Sequence, residues 1–356
     1  MNIAVVGGGI NGVCCVWELA ARGHQAVLYE RGELMGATSS ASSKLLHGGL
    51  RYLAQGHVGL VRESLRERGW WLEAAPALTS RLEILLPVYR GGSQPRWRLR
   101  LGLLLYDLLA GRQRLGWHRW VPRARLLERA PNMAAAGLRG AFAYYDGRMD
   151  DHALGLWAAE QARQAGARLY THSPVTQVSE NGGVRVGDQW HPHDRVINVA
   201  GPWAAELLRA SGLEPAHTLS AVRGSHLVIA RTPPGAFLLD NPDDGRVVFV
   251  LPWQGHTLLG TTEVRQPLTE PPRCSDAERD YLLGVYNRYF TDTLNAADVL
   301  DSFAGIRPLV GDGSDPGSIS REYVVERRDR LISVYGGKWT TARALARKVA
   351  DTATAS

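Results

Sequence analysis

Gly7, Gly9 and Gly12 form a G-x-G-x-x-G run between the apolar stretch Ile3-Ala4-Val5-Val6 and a segment with Ile10, Val13, Cys14, Trp17 and Ala21 at helical spacing. In a strand–turn–helix of this kind the first glycine permits a tight turn and the second lets backbone approach a pyrophosphate. The third brings helix and strand into close contact. Phosphates would sit on the positive end of the helix. Glu30 closes the next apolar run, Ala26-Val27-Leu28-Tyr29, 18 residues after Gly12, where a carboxylate binds a ribose hydroxyl and repels a 2′-phosphate. The glycines alone are weak evidence, but with the strand, the helix and the acid they define a dinucleotide site.

Two further strand-to-glycine turns lie far along the chain, at Asn198-Val199-Ala200-Gly201-Pro202-Trp203 and at Gly336-Gly337. An NAD site is normally built from one continuous doubly wound domain. Three separated turns suit a longer cofactor lying across the sheet, and FAD is favoured. Helices are expected over 57–75, 151–166, 275–290 and from about Thr340, with strands over 167–171, 184–190, 195–199, 225–230, 246–251 and 257–260. The expected fold is α/β, a discontinuous FAD-binding Rossmann-like domain (1–75, 140–220 and 300–356) with an inserted antiparallel-sheet substrate domain (76–139 and 221–299).

Composition narrows the class. With 45% hydrophobic and 21% charged residues in 356, the chain reads as globular and large enough for two interleaved domains. The net charge of +6 does not argue for a nucleic-acid partner, because only Lys44, Lys338 and Lys348 are lysines among 41 basic residues. That ratio fits a genome-wide bias better than a selected DNA surface, and no recognition motif accompanies it. Cys14, Cys15 and Cys274 form no framework or CxxC pair, as in a reducing compartment. The first strand begins at Asn2, which leaves no room for a signal peptide, and the apolar stretch Leu101–Gly111 falls short of the ~20 residues a spanning helix needs.

The run from Thr38 to Leu53, TSSASSKLLHGGLRYL, closely resembles the signature of FAD-dependent glycerol-3-phosphate dehydrogenases, which belong to the D-amino-acid-oxidase-like flavoproteins. Matching segments follow in order: Tyr145 to Asp151, Asn198 to Trp203, Gly224-Ser225-His226, Val248 to Glu263, Gly305 to Leu309, Ser320 to Tyr323 and Gly336 to Thr341. The resemblance spans nearly the whole chain. Members usually continue into a helical C-terminal domain beyond the last cofactor helix, whereas this sequence ends at Ser356.

The resemblance implies oxidation of glycerol 3-phosphate to dihydroxyacetone phosphate, with hydride passing to flavin, a base taking the hydroxyl proton and electrons leaving to quinone. Its cofactor residues map onto Gly7, Gly9, Asn11, Gly12, Glu30, Thr38, Ser39, Ser42, Ser43, Lys44, His47, Gly48, Gly49, Val175, Ala200, Gly201, Trp203, Arg307, Gly336, Gly337, Lys338, Trp339, Thr340 and Thr341. The substrate phosphate needs fixed positive charge, and guanidinium forks match its oxygens. Arg307 and Arg321 are expected to grip it, Arg51 and Tyr52 to orient the substrate, and Lys338 to stand near both substrate and flavin. For the base His226 is placed ahead of His47, with Arg307 as a third catalytic group. Lys338 and the helix beginning near Thr340 would favour the negative charge of a reduced flavin. No His lies in an attachment motif, so noncovalent flavin is expected.

Residues 90–129 hold ten Arg against two acids, interleaved with Trp97, Trp117 and Trp120. Such a segment suits an interfacial helix on anionic lipid as well as an ordinary packed helix; the resemblance to membrane-peripheral enzymes favours lipid. A cytoplasmic protein on the inner face of the membrane is expected, with homo-oligomerisation left open. The alternatives are a soluble flavin oxidase of another hydroxy acid or an amine, using oxygen, and a flavin-binding module without turnover.

Overall fold

The computed structural model describes residues 1–54, 56–92, 94–311 and 323–355, excluding the side chains of Arg51 and Ala54. Strand β1 (Asn2–Val6), helix α1 (Ile10–Ala21) and strand β2 (Gln25–Tyr29) form the expected β-α-β unit. β1 pairs in parallel with β2 on one side and with Arg195–Asn198 on the other. The sheet continues through Leu331–Tyr335 to an antiparallel edge strand, Val324–Arg328, and ends at its other edge with Arg168–Tyr170. Its strands come from separate parts of the chain, as expected for a discontinuous Rossmann-like domain. Ile3, Val5, Val13, Leu154, Leu345 and Val349 share one core, packing α1 with helices Asp151–Gln164 and Ala342–Thr354.

The second sheet is larger and mostly antiparallel. Its strands follow the order Val264–Arg265, Leu219–Ile229, His256–Gly260, Val247–Trp253, Ala236–Asp240, Thr79–Tyr89, Leu138–Met149 and Leu45–Leu46. Val299–Val310 pairs along the whole of Leu219–Ile229, and Arg119–Pro122 pairs with Leu138–Met149. Leu138–Met149 and Val299–Val310 therefore belong to this sheet, although the sequence division places residues from 140 and from 300 on the dinucleotide side. Helices Val58–Ala74 and Asp276–Tyr289 lie close to the expected 57–75 and 275–290.

The glycine turn is fixed by sterics. Gly7 has φ +115°, and a Cβ on Gly12 would lie 1.9 Å from the Gly7 carbonyl oxygen. That oxygen belongs to backbone and cannot step aside, so α1 crosses β1 this closely only with glycine at position 12. Gly12→Ala is expected to cost about 2 kcal/mol or more through overpacking and to lower retained flavin. Urea unfolding, with the ratio of flavin to protein absorbance on the same sample, measures both.

Candidate active site

A cavity of ≈ 1130 Å³ runs from the glycine turn to the large sheet. This exceeds the usual size of a single small-ligand pocket and suits a dinucleotide together with a substrate. At the glycine end it is lined by Gly7, Gly9, Asn11, Glu30, Val175, Ala200, Gly201 and Trp203. The Glu30 carboxylate accepts from Gly8 N at 2.5 Å and Gly32 N at 2.8 Å, which pins it at the end of β2. Arg31 lies over the Trp203 ring, 3.9 Å from its centroid, and both reach the cavity wall. Gly337 has φ +96°, and a Cβ there would meet Asn11 Nδ2 at 2.7 Å. Buried Asn11 Oδ1 accepts no hydrogen bond among the described residues. A glycine cradle, a pinned acid and an orphaned amide oxygen fit a flavin dinucleotide.

The chain from Thr38 to Gly49 forms the long side of the cavity. Ser39 Oγ accepts from Ile10 N at 2.9 Å, and Thr38 Oγ1 donates to the Ile306 carbonyl at 2.7 Å. Thr38, Ser39, Ser42, Ser43, His47 and Gly49 line the wall. Lys44 does not. Its ammonium is buried and donates to Asp151 Oδ1 at 2.6 Å and to the Ser40 carbonyl at 2.8 Å, so it anchors the loop from behind. Gly48 also lies behind the wall, its N–H donating to the Tyr106 hydroxyl at 2.8 Å, and Gly12 and Thr341 support the site in the same indirect way.

Tyr52, Arg307, Gly336, Gly337, Lys338, Trp339 and Thr340 also line the cavity. Arg307 donates to Thr261 Oγ1 at 2.8 Å and to the Thr262 carbonyl at 3.2 Å. Lys338 Nζ lies 4.8 Å from the centroid of the Tyr52 ring. His47 N donates to Thr340 Oγ1 at 3.3 Å, joining the loop to the C-terminal turn. His226, placed first as base, is almost fully buried and is not part of the wall; it lies behind Ser43, whose Oγ is 2.8 Å from its Nε2. Its ring stacks on Phe303, with centroids 4.9 Å apart. Arg321 lies outside the described residues, as does the side chain of Arg51. Asp146, Asp240, Arg246 and Glu263 also line the cavity, and sequence reasoning passed over them. Asp146 and Glu263 fall inside the Tyr145–Asp151 and Val248–Glu263 motifs, so a signal was present for both.

A glycine-cradled cavity between a Rossmann-like sheet and an antiparallel one, with arginine and lysine in its lining, defines a flavin-dependent oxidoreductase. The FAD dependent oxidoreductase (DAO) family pattern matches residues 2–352, and this chain belongs to that family, with FAD as its cofactor. It is 38% identical to a glycerol-3-phosphate dehydrogenase of Pseudomonas aeruginosa over 97% of this chain and 70% of that protein. It is 37% identical to a D-erythritol 1-phosphate dehydrogenase of Brucella abortus, over 98% of this chain and 72% of the other. The solved glycerol-3-phosphate dehydrogenase of Bacillus halodurans, complexed with FAD, superposes with TM-score 0.78 at 27% identity, covering 99% of this chain and 64% of that one.

Burial, and after it the charges of Arg307 and Lys44, hold the His226 imidazole well below its usual pKa of 6.5. In acid the unfolded chain therefore takes up this proton before the folded one does. The contribution of a neutral His226 to stability is complete above pH about 6.5 and is lost as pH falls below it, by up to about 1.4 kcal/mol per pH unit. His226→Gln should flatten the drop in urea midpoint between pH 7 and pH 5. An unchanged pH slope would show that the ring already protonates in the folded protein.

Proposed function

We propose that this protein oxidises glycerol 3-phosphate to dihydroxyacetone phosphate and passes the electrons to a quinone. The observation that carries this reading is Arg307, held by Thr261 and Thr262 on the wall of the flavin cavity with Lys338 on the same wall. Relatives at 38% and 34% identity named as glycerol-3-phosphate dehydrogenases support the same reading. Bound FAD supplies the hydride acceptor. Arg307 neutralises the phosphate dianion, a task the sequence assigns also to Arg321, and Tyr52 orients the carbon chain, as expected of Arg51 beside it. The hydroxyl proton goes to His226 by way of the Ser43 hydroxyl, which lines the cavity and lies 2.8 Å from Nε2. His47, on the wall itself, is the competing base.

The acceptor would arrive along helix Arg96–Ala110. Trp97, Leu101 and Leu108 on this helix are 69%, 58% and 56% exposed, a contiguous apolar surface among arginines. Leu101 and Leu105 also reach the cavity rim. This supports a peripheral seat on anionic lipid. Among the described residues no helix is long and apolar enough to cross a membrane. A second reading, oxidation of a longer polyol phosphate, is favoured by Asp240, Arg246 and Glu263 on the cavity wall, which add polar groups beyond the needs of a three-carbon substrate.

Anaerobic bleaching of the purified flavoprotein by glycerol 3-phosphate, then reoxidation by quinone or oxygen, tests the central claim; bleaching by erythritol phosphate alone would replace the substrate. Arg307→Ala should raise KM at least tenfold, about the worth of one charge-assisted contact. His226→Ala should depress turnover at saturating substrate by about 10²-fold, and unimpaired turnover would pass the role to His47. Sedimentation with anionic vesicles should show binding at low salt that weakens at high salt; no binding at either removes the lipid seat.

A further inference from the structure

Helix Asp276–Tyr289 begins with a capping box, in which Ser275 Oγ accepts from Glu278 N at 3.3 Å and the Glu278 carboxylate accepts from Ser275 N at 3.1 Å. A capping glutamate needs only that reciprocal pair. Here the carboxylate takes four more hydrogen bonds, from Arg223 Nη2 (2.6 Å), Ser275 Oγ (2.8 Å), Ser225 Oγ (2.8 Å) and Thr262 Oγ1 (2.6 Å). Ser225 N in turn donates to Thr262 Oγ1 at 2.9 Å. Glu278, Ser225 and Thr262 are all buried, so the bonds among these three are made away from water.

This network reaches the cavity through Thr262. Thr262 offers its carbonyl to Arg307 Nη1, and Thr261 offers its hydroxyl to Nη2. Ser225 adjoins His226, and residues Arg223 to His226 pair in register with Ile306 to Phe303 on the strand of Arg307. A Cβ on Gly224 would come within 2.3 Å of Arg307 Nη2, so the guanidinium lies directly against this strand.

We propose that Glu278 is a positioning residue for Arg307. Its carboxylate commits the Thr262 hydroxyl as a donor and so fixes the Thr261–Thr262 backbone, whose hydroxyl and carbonyl oxygens set the orientation in which the guanidinium meets an anionic substrate. The assignment rests on the reading of Arg307 as the group that binds the substrate phosphate. Burial alone would raise the Glu278 pKa, but donors from Thr262, Arg223, Ser275 and Ser225 bring it down to about 2. The anchor therefore stays charged throughout the working range of pH.

Three variants of the FAD-loaded full chain separate positioning from mere support. Glu278→Gln turns one carboxylate oxygen into a donor within reach of Arg223 or Thr262. Thr262→Val removes the hydroxyl while leaving the helix cap whole. Ser275→Ala weakens the cap and leaves the Glu278–Thr262 bond in place. Glu278→Gln and Thr262→Val should each raise KM for glycerol 3-phosphate about tenfold with kcat within about twofold, the signature of a displaced binding group. Ser275→Ala should lower Tm without moving KM. In combination with Arg307→Lys, Glu278→Gln should add less than it does alone.

If Arg307→Lys raises KM while Glu278→Gln and Thr262→Val leave it unchanged, or if Ser275→Ala raises it equally, the positioning role is overturned. If glycerol 3-phosphate fails to reduce even the unaltered protein, it is the substrate reading that falls. Titration of the oxidised holoenzyme with inorganic phosphate, followed by flavin absorbance, then ranks the same variants, and equal phosphate affinity in all of them overturns the role for Glu278.

Discussion

A stretch of chain that lines a ligand cavity cannot satisfy its backbone through a ladder on that side, and the run from Ala37 to Gly49 lives under this constraint. It contains only one turn of 3₁₀ helix and a two-residue strand, so its shape is imposed from behind. The Asp151 carboxylate does most of this. Fully buried at the start of helix Asp151–Gln164, it accepts from Ser42 N at 3.1 Å, Ser42 Oγ at 2.7 Å and Lys44 Nζ at 2.6 Å. Removing either partner of so buried a pair strands the other charge, a cost of about 3–5 kcal/mol. Lys44 itself is held at φ +58°, a conformation a side-chain-bearing residue keeps only when its surroundings over-determine it. The rarity of lysine in this arginine-rich chain has a structural sense here: a compact ammonium fits between a carboxylate and the Ser40 carbonyl.

The other end of the run is secured by a second buried charge. Arg68 pairs with Asp146 at 2.8 Å, and the Tyr106 hydroxyl donates to the same carboxylate at 2.7 Å while accepting from Gly48 N. Burial pushes the Asp146 carboxyl up, and the Arg68 charge with the Tyr106 hydroxyl opposes it. Tyr106 lies on the inner face of helix Arg96–Ala110, whose outer face carries the exposed Trp97, Leu101 and Leu108. One helix thus fixes the flavin-side loop with one face and presents an apolar surface with the other.

The parts of this design legible in the sequence are those encoded locally. Gly7, Gly9, Gly12 and Glu30 sit within one β-α-β unit, and the periodicity of α1 and the flanking runs announces it. The long strands of the second sheet announce themselves less. Leu138–Met149 is buried on both faces and shows no alternation, and Val299–Val310 carries Gly305 and Pro308 within it. The family motifs marked Lys44 and His226 as important without giving their surroundings, because the partner that takes Lys44 off the cavity wall stands 107 residues away. Glu278 lay outside every motif; S-x-x-E before a helix signals a cap, and nothing local reveals that the carboxylate also reaches across to Arg223 and Thr262.

Two sheets built from interleaved stretches of chain set the spacing between the cofactor loop and Arg307. The join is narrow. Thr38 Oγ1 donates to the Ile306 carbonyl, and a Cβ on Gly305 would lie 2.9 Å from the Ala41 methyl, so the flavin-side loop and the strand of Arg307 touch immediately beside that arginine. A shift of the large sheet against the Rossmann-like sheet would disturb this contact. Hydride transfer tolerates little error in the distance between donor carbon and acceptor, and a misplacement of about 1 Å can cost two orders of magnitude in rate. Arg307, the group proposed to bind the anion, therefore sits one residue from a direct contact between the cofactor loop and the large sheet.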